Sequence, residues 1–225
     1  MRLVSVLLAR SLAFVEISEL NPFGKVYLPD LITKLVQQYG FHIYPIKPEE
    51  LDLNKGIEFH LGRSGNRVIE RLVIYSAATM VETHSSTDES KEILLDIFNW
   101  AKDAFGITYE KGAIKRWAYI SNILFYTDFP LLASFSPPLE TLASKTTKVV
   151  SEIFHEELKY ESLAINIGHD PTKRKNGIAG LIIQHRADAP FSDNKYYSEA
   201  PLPTNLHIKF LEEFEADVVA LLKSK

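Results

Sequence analysis

The stretch from residue 71 to residue 105 constrains the fold of this chain more than any other part. It begins with apolar residues that alternate with polar ones: Leu72 follows Arg71, and Val81 precedes Glu82. An alternation with period two is typical of strands that bury one face. The stretch therefore predicts two neighbouring strands, each with one side turned to a core.

A long helix is predicted directly after these strands. Ser86 stands where an N-cap residue belongs, and Glu89 three positions later completes a capping box. Gly106 stands where a C-cap glycine belongs. Between the two signals, apolar residues recur every three or four positions and form one stripe: Ile93, Leu94, Ile97, Phe98, Ala101 and Phe105. We expect an amphipathic helix that buries this stripe.

Composition narrows the class of protein. The 225 residues are 46% hydrophobic and 24% charged, which is ordinary for a globular chain. The net charge of -4 gives no general attraction for nucleic acid, and the absence of cysteine excludes disulfides, thiol catalysis and cysteine-bound zinc. The N-terminal apolar run is far shorter than the roughly 20 residues of a membrane span. We expect a soluble, cytoplasmic protein without a signal peptide.

The same kinds of signal predict two halves with one plan. Residues 1–110 are predicted as β-α-β-β-β-β-α and residues 111–225 as β-α-β-β-(β)-α. The predicted elements include a short strand at 41–47, a loop at 129–138 and a helix at 139–158 with an apolar stripe. Repeated units of this kind pair their sheets edge to edge and pack their helices on one face. We therefore expect an α+β fold with an antiparallel sheet, built by internal duplication.

This order of elements resembles the TATA-binding-protein-like fold, in which two such repeats form a saddle. The resemblance covers most of the chain and consists of element order alone. No residue motif of that family occurs in the sequence, so the resemblance implies an architecture and does not imply DNA binding.

A row of charged side chains is predicted across one face of the sheet. If the first hairpin turns at residues 64–65, Glu58 lies opposite Arg71. If the next turn lies at residues 77–78, Arg71 lies opposite His84. The other face would then carry the apolar residues and be covered by helices: Ile57, Phe59, Leu61, Val68, Leu72, Ile74 and Val81.

Two more residues join this predicted row, because His60 and Glu82 lie two positions along the same strands. Paired histidines and carboxylates suit a metal site, although Arg71 would repel a cation. They also suit acid–base catalysis, with His84 or His60 poised by a carboxylate. The third interpretation is a solvated face with cross-strand ion pairs that is available to a partner.

Basic residues lie in equivalent loops of the two halves. Arg63 and Arg67 flank one hairpin loop, and Lys173, Arg174 and Lys175 lie in the other. These loops could contact phosphates, which would make the protein a nucleic-acid binder. The alternative is solvated turn charge, which agrees with the overall acidity.

No known catalytic or cofactor motif accompanies these patterns. The GRSG sequence at residues 62–65 lacks the lysine of a phosphate-binding loop and the third glycine of a dinucleotide fingerprint, and neither Gly-x-Ser-x-Gly nor His-Glu-x-x-His occurs. We therefore expect no catalytic residues, cofactor or metal. The leading hypothesis is a non-catalytic binding protein whose polar sheet face and hairpin tips hold a protein partner or a second copy. Nucleic-acid binding is the first alternative and a His/Glu enzyme the second.

Overall fold

The computed structural model describes residues 1–110, 112–135, 137–170, 172 and 179–223. They form the predicted α+β fold, with an eight-stranded sheet in the order β2-β3-β4-β1-β5-β8-β7-β6. The strands are β1 (Arg2–Phe14), β2 (Ile57–Ser64), β3 (Arg67–Ile74), β4 (Ala78–Thr83), β5 (Arg116–Tyr126), β6 (Ala164–Ile167), β7 (Leu181–His185) and β8 (Lys195–Ala200). The helices are α1 (Ile17–Leu20), α2 (Leu28–Tyr39), α3 (Thr87–Phe105), α4 (Leu131–Phe135), α5 (Pro137–Phe154) and α6 (Thr204–Lys223), with 3-10 turns at Pro48–Glu50 and Phe191–Asp193.

The chain divides into two compact units. The first unit contains residues 6–121 and 201–205, and the second contains residues 1–5, 122–200 and 206–225. The proposed boundary at residue 110, the internal duplication and the likeness to the TATA-binding-protein-like fold stay predictions.

The core of the first unit lies between the sheet and two helices. Phe59, Leu72 and Val81 point from three neighbouring strands into one apolar cluster, and each of them is fully buried. Helices α2 and α3 supply the other side of this cluster: Ile32, Leu35, Tyr39, Ile93, Leu94, Ile97 and Phe98. Both helices therefore cover the same face of the sheet, as the alternation predicts.

The predicted start and end of α3 are confirmed. The Ser86 hydroxyl accepts a hydrogen bond from the Glu89 amide at 3.1 Å. At the other end Gly106 has φ +66°, a left-handed conformation that costs glycine little. Within the first unit, a pair of hydrogen bonds that the sequence does not predict joins Thr87 to Thr204, which is distant in the chain. The Thr87 amide donates to the Thr204 hydroxyl at 3.0 Å, and the Thr204 amide donates to the Thr87 hydroxyl at 2.9 Å.

The predicted hairpin registers are wrong by one residue on each strand. The first turn lies at Gly65–Asn66, because Ser64 pairs with Arg67. Gly65 has φ +63°, and a two-residue turn of this type places glycine first because a side chain there would be strained. Consequently Glu58 lies opposite Val73, and His60 lies opposite Arg71.

In the next pair Arg71 lies opposite Glu82 rather than His84. The hydrogen bond from the Tyr75 amide to the Ala78 carbonyl closes that turn one residue earlier than predicted. A register error of this size moves each partner by two positions, so the error by itself leaves Glu58, Arg71 and Glu82 on the same face. The predicted row therefore changes its pairing and not its side of the sheet.

The predicted apolar face is wrong for two of its members. Leu61 and Val68 are 48% and 45% exposed. Leu61 has φ +56°, which interrupts the alternation, and Gly62 and Ser64 beyond it turn inward. A Cβ at Gly62 would lie only 2.5 Å from the Phe41 ring, so this packing requires glycine.

Two other predicted elements also differ from the structure. Residues 41–47 form no strand, and only Ile43 makes an isolated bridge to His60. The predicted loop at 129–138 contains α4.

The stripe of α5 is solvent-exposed, with Ile153 at 65% and Phe154 at 64%. In the core of the second unit the helical residues come from α4, with Leu131 and Leu132, and from α6, with Leu211 and Val218. The strands supply the rest of this core: Ile123, Phe125, Ile183 and Tyr196.

Candidate functional site

The candidate site lies on the face of the first unit's sheet that α2 and α3 do not cover. On β1, Ala9 and Ala13 are fully buried, whereas Arg10 and Leu12 between them are partly exposed. The alternation along the strand therefore separates a covered face from a second face. We call this second face the open face, defined by Arg10, Leu12, Glu58, His60, Arg71, Met80, Glu82, Ala118 and Ile120.

Charged side chains on the open face form a ladder of alternating sign. The Arg71 guanidinium donates to both carboxylate oxygens of Glu58, at 3.1 and 2.7 Å. On its other side, Nη1 of Arg71 lies 3.7 Å from Oε1 of Glu82. Nε of Arg10 donates to the same Glu82 oxygen at 2.8 Å. Two arginines and two glutamates thus neutralise one another across four strands.

His60 extends this charge ladder at its outer end. Its Nε2 lies 3.3 Å from Oε2 of Glu58, so the predicted pairing of a histidine with a carboxylate is present here. The hydrogen bonds from Arg71 are the main cause that lowers the pKa of the Glu58 carboxyl, and Glu58 in turn raises the pKa of Arg71. The pair could transfer a proton. The carboxylate beside the imidazole is nevertheless already held by a guanidinium, which weakens it as a proton acceptor.

His84 is not part of the ladder. It follows the end of β4, its side chain is 60% exposed, and its Nε2 lies 3.6 Å from Oε2 of Glu70. The sequence reasoning placed His84 opposite Arg71 because it set the second turn one residue too late.

The basic hairpin tips are only partly described. Arg63 is exposed on β2, and Nη1 of Arg67 donates to Glu92 of α3 at 2.8 Å. The tip arginine at the start of β3 is therefore already paired with an acid. Lys173, Arg174 and Lys175 lie outside the described residues, and the prediction of paired basic tips stays untested.

An apolar hollow beside the ladder was missed by the sequence reasoning. It has a volume of about 280 Å³, and Leu12, Met80 and Ile120 are among the residues that line it. The signal was present in β5, where Ala118 and Ile120 alternate with Trp117 and Tyr119, so that both faces of the strand are apolar. A strand that is apolar on both faces is normally covered on both faces, so β5 predicts apolar surface on the second face of the sheet as well. The open face is therefore not uniformly polar.

A second hollow, of about 370 Å³, lies at the edge strand β2. Its lining includes Glu49, Glu50, Asp52 and Glu58, with Lys55 as its basic residue. The amides of Lys47 and Ile46 donate to Glu50 and lower the pKa of its carboxyl. This end of the face consequently carries an excess of negative charge.

Two observations bear on chemistry elsewhere in the described ranges. No group of three or more histidine, aspartate or glutamate side chains in them is arranged to hold a metal ion. In the second unit His207 Nε2 lies 2.8 Å from the Ser198 hydroxyl, which the sequence reasoning did not notice. Both side chains are fully buried, and Ser198 donates its proton to the Ile182 carbonyl at 2.7 Å. This serine is consequently held as a structural link and not presented as a nucleophile.

Comparison with models of known protein families and with curated proteins found no match to this chain. Within the part of the chain that the structure describes, no helix combines the length and apolar character needed to cross a membrane. Function is therefore inferred from the chain's own side chains.

Proposed function

We propose that this protein is a non-catalytic interaction protein that holds a protein partner on the open face of its first unit. The observation that carries the proposal is the apolar hollow beside the charge ladder. Protein–protein interfaces combine an apolar centre with a polar rim. Leu12 and Ile120, which are both partly exposed, supply such a centre above the buried Met80, and the ladder from Arg10 to His60 supplies one side of the rim.

The electrostatics of this face favour protein over nucleic acid. A phosphate backbone is bound by arginines and lysines that are free to face it. On the open face Arg10 and Arg71 each contact a glutamate, and the neighbouring hollow contains Glu49, Glu50 and Asp52. A polyanion would meet this acidic edge, whereas a protein can match both signs of charge.

The same charges specify the partner. The hollow of about 280 Å³ suits an apolar side chain at the centre of the contact. The acidic hollow at β2 suits a lysine or arginine at its edge, because opposite charges across an interface direct its orientation. A second copy of the chain is one such partner.

The test compares two matched variants, Ile120→Lys on the open face and Ile153→Lys on the exposed stripe of α5. The full chain and both variants are used as bait, and captured proteins are quantified by mass spectrometry. We expect a reproducible set of partners that Ile120→Lys loses and Ile153→Lys keeps. Circular dichroism checks that both variants are folded.

Two results would count against the proposal. If Ile120→Lys keeps every partner, the open face is not the binding surface. If only Ile153→Lys loses them, binding belongs to α5. Light scattering on purified protein decides whether the partner is a second copy, since Ile120→Lys would then convert an oligomer to a monomer.

A further inference from the structure

The first unit contains an apolar pocket under its helices, on the opposite side of the sheet from the open face. The pocket has a volume of about 210 Å³. Ile74 and Thr79 of the sheet form its floor, α3 contributes Ile97 and Ala101, and α2 contributes Leu31. On β4, Thr79 lines this pocket and the next residue, Met80, lines the hollow of the open face. The two cavities are thus separated by the sheet itself.

The local structure explains why space remains here. Helix α1 ends after one turn at Leu20, and residues 21–27 form a loop, here called the arch, that leads to α2. The Asn21 side chain bridges the two ends of the arch, because its Nδ2 donates to the Val26 carbonyl at 3.4 Å and its Oδ1 accepts from the Val26 amide at 3.3 Å. Beneath the arch, Ala101 and Thr79 are too small to fill the gap between helix and sheet.

The lining chemistry restricts the occupant. Every described residue that lines the pocket is uncharged, and Asn21 and Thr79 are the two among them with polar side-chain atoms. A charged ligand would lose its hydration and find no opposite charge. Water would find few partners, and apolar cavities of about 150 Å³ in other proteins stay dry and bind benzene.

We propose that this pocket binds a compact, uncharged apolar molecule, of the size of a substituted benzene or a short alkyl chain. Leu28 and Leu31 are partly exposed at the pocket, so an occupant would bury them further. The deeper walls, Leu35 and Ile97, are already buried and present a preformed surface. The ligand therefore enters an existing cavity and need not open the core.

The experiment titrates the full chain with toluene and with 1-hexanol and follows methyl resonances by NMR. We expect saturable shifts at Leu31, Leu35 and Ile97, with Ile123 and Ile183 of the other core unchanged. Benzoate and hexanoate serve as charged counterparts, and we expect at least tenfold weaker binding for each.

The decisive variant is Ala101→Leu, which fills the pocket from α3. The matched control is Ala104→Leu on the same helix, where the side chain is exposed. We expect the first change to weaken toluene binding at least tenfold and the second to leave it unchanged. If Ala101→Leu does not fold, Leu31→Trp fills the pocket from its partly exposed side. Absence of saturable shifts, equal binding of the charged probes, or unchanged affinity in a folded filled variant would each overturn the proposal.

Discussion

The charge ladder on the open face makes a quantitative prediction about Glu82. This side chain is only 11% exposed, and its carboxylate accepts from Arg10 at 2.8 Å and lies 3.7 Å from Arg71. We consider the replacement Glu82→Gln, which keeps the shape and one acceptor and removes the charge. Arg71 retains its two bonds to Glu58, so the loss falls mainly on Arg10.

The expected cost follows from the exposure of the two partners. A hydrogen bond to a charged group contributes roughly 1.5–3 kcal/mol when it is well shielded. Exposed ion pairs contribute about 0–1 kcal/mol. The side chain of Arg10 is 30% exposed, so water can replace part of the interaction. We therefore expect Glu82→Gln to lower the free energy of unfolding by about 1–2 kcal/mol, between these limits.

The assay is urea unfolding at pH 7, followed by circular dichroism, on wild type, Glu82→Gln, Arg10→Met and the double variant. Residues in direct contact give coupling energies of about 0.5–3 kcal/mol in such cycles. We expect a coupling near 1 kcal/mol that survives in 0.5 M salt, because the Glu82 carboxylate is largely buried and salt screens it poorly. A coupling below about 0.3 kcal/mol, or complete loss in salt, would refute the reasoning.

Three further predictions use other parts of the molecule. Ser86→Ala should cost about 1 kcal/mol in urea unfolding by removing the cap of α3, whereas Ser86→Gly should cost only a few tenths, and equal costs would contradict capping as the cause. Burial lowers the pKa of the His185 imidazole below its value in the unfolded chain. The stability that the neutral imidazole contributes is therefore present above about pH 6.5 and is lost as the pH falls towards the pKa of the folded state. His185→Gln should flatten the dependence of the free energy of unfolding on pH between pH 7 and 5, and an unchanged slope would contradict this role of His185. Ile153→Lys and Phe154→Lys on α5 should each change the free energy of unfolding by less than about 0.5 kcal/mol, since both side chains are exposed. A much larger decrease in that free energy would indicate that the apolar stripe of α5 is buried after all.

The open face illustrates which part of the site the sequence could predict. Side chains alternate across a strand whatever the register, so Glu58, Arg71 and Glu82 could be assigned to one face before their partners were known. The pairing depended on the exact position of each turn. In the first turn Gly65 takes the positive φ, and His60 lies opposite Arg71. The second turn closes through the hydrogen bond from the Tyr75 amide to the Ala78 carbonyl, and Glu82 takes the place assigned to His84.

What the sequence alone determined is local. The cap at Ser86 and the end of α3 at Gly106 depend on residues within a few positions of one another, and the structure retains both. Such signals act through backbone conformation and hydrogen bonds that neighbouring residues can make unaided.

The tertiary structure decided what covers each surface. The stripe of α5 has the helical spacing of a buried face and is exposed, while Thr87 and Thr204, far apart in the chain, bond each other's amides. Burial and long-range hydrogen bonding depend on which distant elements pack against a surface. The spacing of apolar residues within one segment does not specify those elements. The apolar hollow by Ile120 and the pocket by Ala101 are further results of such packing.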